Sequence, residues 1–511
     1  MPPSSRNFNL FQTAKNILAN TTFFLFEILI SLWYTPFLLR RLGSELFSFI
    51  PLANSVTNYF SIIMYSLNIS IGRYITIELE KGDVRRANQI FNTNLVITLL
   101  LISAVIPVGV VLVILAPTIF TIPSGWEYDV RILFVGVIAA FLLGTYRINY
   151  SLATFAKNRF DLRNLVGLGG RIVQVLIIVI LFNFRQPNLL YVGVGAACAA
   201  LFNLAGDYYL WRMLLPELKV RWREFSRKKL KLLFGTGMWT FLYQAGFILF
   251  LNVDMLVANR ALDLKLAGMY GALLVIPKNL RIMSVAVGGV WGPSILAKYS
   301  QSDFQGMDKI VRTSIKVTGL TLALVIGLIC GLASPFLNIW LGPDFQAMTL
   351  VLVLMVFPLS TNLIVGPFFN IHVSFNKLKM PALIALALGA SNLLLAIFLT
   401  PKYGTMGLVA AGVFTLTLFY SFFSPIYAAR VMGLSWTHYF KQLGMVTLAT
   451  LGVAVISYSF AKAMLLSSYL HLIIVGGLIS LGYLILVYFL GLSSKEKKMI
   501  KSFLAKVTGN N

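Results

Sequence analysis

The chain has 511 residues, of which 58% are hydrophobic and only 12% charged, with a mean hydropathy of +0.83 and a formal net charge of +25. So few charges exclude an ordinary soluble domain. Apolar runs of about 20 residues, the length that crosses ~30 Å of hydrocarbon, recur from end to end and imply an all-α, polytopic membrane protein. The short alternating segments of a β-barrel are absent, and charge kept on cytoplasmic loops explains the basic excess better than nucleic acid does.

Arg6 and Lys15 precede the first apolar run, and no small-residue cleavage site follows it, so this run is expected to be a signal anchor rather than a removed leader. About fourteen spans are predicted, near 17–39, 46–70, 94–117, 130–152, 163–184, 190–212, 234–258, 267–290, 312–334, 347–370, 381–399, 407–430, 441–462 and 469–490. With a cytoplasmic N-terminus, 29 of the 42 Lys and Arg fall on inside loops and tails and 8 on outside loops, so both termini are expected inside. The strongest anchor is KVRWREFSRKKLK at 219–231, which also reads as a hinge between two halves.

The halves repeat at an offset of 217–220. KGD (81–83) faces QSD (301–303), APTIFTIPSG (116–125) faces the stretch ending FLNIWLG (336–342), and KNRFDLRN (157–164) faces FNKLKMPA (375–382). Gln174 faces Asn392, and Arg212 faces Arg430. Spans 1–6 and 7–12 therefore read as two parallel six-helix repeats, a transporter architecture, with spans 13 and 14 outside the repeat. The expected organisation is an N-terminal lobe at 1–215, a basic cytoplasmic linker at 216–233, a C-terminal lobe at 234–436, and the last two spans with a tail at 437–511.

No P-loop occurs, no outside loop exceeds roughly fifteen residues, and no acid–base pair or Ser/His/Asp cluster marks an enzyme. The three histidines are scattered, without metal-ligand spacing, and the two cysteines imply no disulfide framework. Neither a cofactor nor a metal is expected.

The informative residues are charges within spans, where an ion costs at least ~2.5–3.5 kcal/mol and normally faces a partner or water. In YGALLVIPKNLRIMSV, Lys278 lies about 17 Å deep at 1.5 Å per residue, and Arg281 follows one turn later on nearly the same side. Pro277, which has no N–H, is expected to kink this helix. Lys278 and Arg281 read as a cationic wall of a wet cavity, or as charges neutralised by Asp254 or Glu27.

Arg147 in span 4 and Arg171 in span 5 are cavity or boundary cations, and Lys316 in span 9 reads as an inner anchor. Arg73, at the inner mouth of span 2, is either a headgroup guide or a positive-inside anchor. Several basic sites suit a polyanion such as a diphosphate. Glu27, mid-span, and Asp254 are candidates for ion coupling or gating, while Asp207 is placed to pair with Arg212. Trp33, Tyr34, Trp126, Tyr128 and Trp340 fall where an outer aromatic belt is expected.

The stretches AKNILANTT (14–22), PFLLRRLGSELFSF (36–49), IELEKGDVRRANQIFNT (77–93), LDLKLAGMYGAL (262–273), NIWLGPDF (338–345) and HVSFNKLK (372–379) resemble those of Wzx-type polysaccharide flippases. These belong to the multidrug/oligosaccharidyl-lipid/polysaccharide (MOP) superfamily. The resemblance implies two six-helix lobes around a central cavity, working by alternating access. It also implies export of a polyprenyl-diphosphate-linked oligosaccharide, an O-antigen or other surface-polysaccharide unit, across the inner (cytoplasmic) membrane, together with polysaccharide polymerase or assembly partners. Arg147, Arg171, Lys278 and Arg281 would supply the cationic cavity of such proteins. A proton or sodium gradient is the expected drive. The alternatives are a multidrug exporter and a lipid II flippase; Glu27, where the latter has a basic residue, weighs against the second. A structural subunit of a glycan assembly complex is a third possibility, and it needs no charges within the membrane.

Overall fold

The computed structural model describes residues 10–226, 238–464 and 466–491. Among them every regular element is helical. The first eight are α1 (Leu10–Phe47), α2 (Phe49–Glu80), α3 (Val84–Ile119), α4 (Glu127–Ala156), α5 (Phe160–Phe184), α6 (Leu189–Leu214), α7 (Met238–Ala261) and α8 (Leu264–Leu273). Next come α9 (Val275–Gly288), α10 (Gly292–Ser300), α11 (Phe304–Gly331), α12 (Ala333–Trp340), α13 (Thr349–Val356), α14 (Leu359–Asn362) and α15 (Gly366–Ser374). The last are α16 (Lys379–Thr417), α17 (Ser424–Val431), α18 (Phe440–Ala463) and α19 (Tyr469–Leu486).

Among the described residues, twelve helical stretches are long and apolar enough to cross a membrane, and the chain is a multi-pass membrane protein. The segments expected at 381–399 and 407–430 share one stretch, Lys379–Val431, which breaks at Gly404. The segment expected at 46–70 lies on the 32-residue α2, outside those twelve. Where Pro277 was expected to kink a helix, the chain divides into α8 and α9 at Leu274. The reason is local: Pro277 has no N–H to give the carbonyl of Leu273, four residues back.

The chain divides into two compact units, Met1–Val275 with Lys377–Thr415, and Ile276–Asn376 with Leu416–Asn511. In the first, α4 and α6 approach until a β-carbon on Gly136 would strike the backbone of Gly193, the small-residue packing that lets membrane helices come close. Asn58 on α2 donates to Asn252 on α7 at 3.0 Å. Gly43 takes a left-handed φ of 78° in α1, and the next carbonyl, of Ser44, rests against Gly268 of α8, where any side chain would collide. In the second unit, Gly319, Gly327 and Gly331 make a stripe on α11 that receives Val446, Val453, Ala454 and Ser457 of α18. The Tyr483 hydroxyl of α19 donates to the Leu320 carbonyl at 2.9 Å.

The internal repeat is visible in the backbone. Gly82 and Ser302, Gly125 and Gly342, and Asn158 and Asn376 all take left-handed φ values, at offsets of 220, 217 and 218. Glycine and asparagine are the residue types that permit such turns, and Ser302 adopts one where its counterpart is Gly82. After the first pair, Asp83 and Asp303 adopt φ/ψ of −86°/73° and −86°/74° and cap α3 and α11 by accepting from the N–H three residues on.

Candidate functional site

On α9, Ile276, Leu280 and Ser284 recur at i, i+4 and i+8 and are buried; Ser284 donates to the Leu363 carbonyl at 2.6 Å. At 100° per residue, Lys278, Arg281 and Val285 cluster on the opposite side of the helix. Lys278 and Val285 are exposed and Arg281 is half-buried. The break before Pro277 ends α8, buried over 267–273, and starts this short amphipathic helix. Lys316 is half-buried on α11, which starts at Phe304 rather than near 312. Lys316 therefore lies about 18 Å along its helix at 1.5 Å per residue.

In the first unit the cations have acids beside them. Arg147 Nε lies 2.6 Å from Oδ2 of Asp207, whose side chain is fully buried. Asp207 was expected to pair with Arg212. Arg212 instead stacks over Tyr208 and Trp211, at 5.7 and 5.0 Å from the ring centres. Arg147 reaches Asp207 across the closely packed α4–α6 pair, whereas Arg212, five residues on, falls on a different side of α6. Arg163, on α5, interacts electrostatically with both Asp207 and Arg147. This leaves a three-charge group of net +1. The sequence counted Arg163 only as an inside-loop charge.

Arg171 donates to Gln174 at 2.7 Å, its Nε stands 3.8 Å from Glu27 Oε2, and its guanidinium lies 5.2 Å from the Tyr34 ring centre. Glu27 on α1 thus stands beside Arg171. Tyr34, expected in an outer aromatic belt, is buried here, and so is Trp340; Trp33 and Tyr128 are exposed. Asp254 accepts 2.6 Å from the hydroxyl of the fully buried Tyr270, joining α7 to α8. Arg73 falls on α2, with its side chain outside the described residues.

The candidate residues therefore fall into two groups. Lys278, Arg281 and Lys316 belong to the second unit. Arg147, Arg171, Glu27 and Asp254 belong to the first, and there Arg147 and Arg171 each stand beside a carboxylate. Sequence spacing gave no sign of these pairs, because 60 and 144 residues separate their members.

No family model matches the chain. EpsK of Bacillus subtilis (strain 168), described as an uncharacterized membrane protein, is 29% identical over 500 residues, which cover 97% of this chain and 98% of EpsK. The fold is similar to that of solved MOP-superfamily transporters. The MATE multidrug transporter DinF-BH, in complex with R6G, aligns with a TM-score of 0.60 at 14% identity, over 85% of this chain and 100% of that one. An inward-facing MATE family transporter of the MOP superfamily aligns at 0.58 and 15% identity, over 81% and 98%. The lipid II flippase MurJ, in an inward closed conformation, aligns at 0.58 and 14% identity, over 90% and 98%. These likenesses establish a MATE- and MurJ-like polytopic membrane fold.

Proposed function

We propose that this chain is a flippase that carries a polyprenyl-diphosphate-linked oligosaccharide, a surface-polysaccharide unit, from the inner to the outer leaflet by alternating access. The observation that carries this reading is the Lys278–Arg281 side of α9: two cations one turn apart, opposite the packed stripe of a helix in an apolar span. A charge there is tolerated where a partner, water or a charged ligand meets it. A diphosphate is such a ligand, with Arg281 gripping it as a fork and Lys278 as a point charge. Arg147, Arg171 and Arg73 would add to the polyanion path, with Arg163 beside Arg147. Glu27 and Asp254 would couple or gate.

Both termini lie on the cytoplasmic side of the cell membrane in this reading, and spans 1–6 and 7–12 act as the two lobes that alternate. Binding alone moves nothing uphill; a proton or sodium gradient, or removal of product outside, gives direction. Polysaccharide assembly proteins would be the partners that take the product.

The test uses proteoliposomes with a labelled polyprenyl-diphosphate oligosaccharide and a leaflet-accessibility readout. Wild type is expected to move the lipid, and folded Lys278→Ala/Arg281→Ala is not. Equal movement by both would remove α9 from the path. The similarity to MATE transporters supports multidrug export as the second reading; export of a cationic dye with no glycolipid movement would select it.

A further inference from the structure

The basic segment that follows α6 is held down along part of its length. Leu215 and Leu218 are fully buried in a cluster with Ile75, Ile90, Phe91 and Trp211. Beyond them, Asn88 accepts from the Lys219 N–H at 2.9 Å. Asn92 donates to the Lys219 carbonyl at 2.9 Å and accepts from the Arg221 N–H at 2.6 Å. Thr93 accepts from the Ser226 N–H at 3.1 Å. Asn88, Asn92 and Thr93 are themselves buried on one side of α3. They satisfy backbone groups that a loose loop would give to water.

With its backbone turned inward, this ribbon exposes Lys219, Val220, Arg221, Arg223 and Phe225. Within 219–226 the acidic residue is Glu224, 3.3 Å from Arg221. The ribbon also has a defined depth. It rests on the first three turns of α3, and the uncharged, mostly apolar run of that helix starts at Leu95, about 4.5 Å beyond Asn92 at 1.5 Å per residue. That places residues 219–226 at the polar end of the α3 span, where lipid headgroups are expected.

We propose that this ribbon is a docking surface for anionic phospholipid headgroups: Lys219, Arg221 and Arg223 meet the phosphates, while Val220 and Phe225 enter the acyl boundary. Topology alone needs positive charge on a loop, not order in it. Fixing the backbone beforehand lowers the entropy lost when lipid binds. The alternation of cations with exposed apolar side chains fits a bilayer interface better than an acidic protein, which would meet charge without needing the apolar members. On the orientation proposed above, the leaflet is the inner one.

The test is a titration of the full chain in detergent with phosphatidylglycerol, phosphatidylcholine or poly-glutamate, reading the thermal unfolding midpoint. Detergent has no sides, so the outcome does not depend on orientation or on transport. A basic side chain near an anionic surface is worth roughly a fivefold factor. Lys219→Glu/Arg221→Glu/Arg223→Glu is therefore expected to weaken the phosphatidylglycerol response by more than tenfold. Lys219→Arg/Arg221→Lys/Arg223→Lys is expected to keep it. Asn92→Ala, which keeps every charge but frees the backbone, is expected to weaken it a few-fold.

Equal responses to the two lipids would overturn the proposal. So would a triple reversal that is folded and binds phosphatidylglycerol like wild type, or tighter binding of poly-glutamate than of phosphatidylglycerol. If Asn92→Ala leaves the affinity unchanged, order plays no part and the ribbon is simply a cationic loop.

Discussion

The N-terminal ends of α3 and α11 begin with the same left-handed turn and the same aspartate cap, yet they hold different things. Five residues past each cap lies a buried polar position, Asn88 in one helix and Asp308 in the other. Asn88 receives the backbone of Lys219. Asp308 receives the side chains of His438, at 3.0 Å, and Tyr439, at 3.1 Å, and pairs with Arg312 at 2.8 Å. Lys219 and Tyr439 are 220 residues apart, the repeat offset itself. In both halves, then, the chain that leaves the last helix of the repeat returns to the start of the third. In the first half it lies there as a polar-bonded ribbon. In the second it is pinned by side chains and continues as α18 along the whole glycine stripe of α11. One scaffold thus accepts either a surface loop or an extra membrane helix, and the residues at the contact decide which.

The largest effect is expected from filling that stripe. Gly331→Val puts a branched side chain against the Ala454 carbonyl and the backbone of Tyr458, which cannot move without moving α18. Overpacking typically costs about 1–3 kcal/mol, and a backbone obstacle places this site at the upper end or beyond. The position 220 residues earlier is Val111, exposed on α3 with no such helix over it among the described residues. Val111→Leu is expected to leave stability unchanged. Thermal unfolding in detergent, run on both variants, checks the contrast; equal losses would mean that α18 is not what distinguishes the two helices.

Next comes Asp308→Ala. It strands the buried Tyr439 hydroxyl and the His438 and Arg312 partners, a loss of about 2–3 kcal/mol for a mostly buried, multiply bonded carboxylate. Asn92→Ala is smaller, about 1–2 kcal/mol, because water can reach the freed ribbon. The two differ in where the damage shows. Hydrogen exchange is expected to speed up at Lys219 and Arg221 in Asn92→Ala, and along α18 in Asp308→Ala. Exchange confined to residues 219–226 in both variants would break the comparison.

How far this was legible in the sequence follows from which contacts are local. The repeat could be read because its landmark stretches stand at a fixed offset, and three of them, 81–83, 116–125 and 157–164, hold the left-handed turns. The break before Pro277 could be read because proline acts on its own helix. The depth of Lys278 and Arg281 is counted along one segment. The pairs Arg147–Asp207 and Arg171–Glu27 could not be read, since each joins helices whose adjacency only the fold decides. The polar helical turns that precede the ninth span could not be read for a related reason. FQGMDKIVRTSIK carries too many polar residues to look like a span, and its polar side is covered by His438 and Tyr439 from far along the chain. The basic segment read as a hinge because charge signals water, whereas the asparagines that hold its first part lie 127–131 residues away.

The smallest expected effect concerns the caps themselves, where the two helices agree most closely. Asp303 accepts from the Gly306 N–H at 2.8 Å and from the Lys298 ammonium at 2.7 Å. The ammonium, first, and then the N–H hold its carboxyl below the usual carboxylate range. A carboxyl depressed in the folded state adds stability above its unfolded pKa, about 3.9, and loses it as pH falls through the lower folded value. The contribution is therefore present at neutral pH and fades below about pH 4. Asp303→Asn keeps a competent cap, because asparagine serves an N-terminus as well as aspartate does, but it removes the charge that titrates. The variant is expected to match wild type in helix content at pH 7 and to show a shallower loss of stability between pH 4 and pH 2. Thermal unfolding across that interval checks this, and identical slopes would assign the acid sensitivity of α11 to another group.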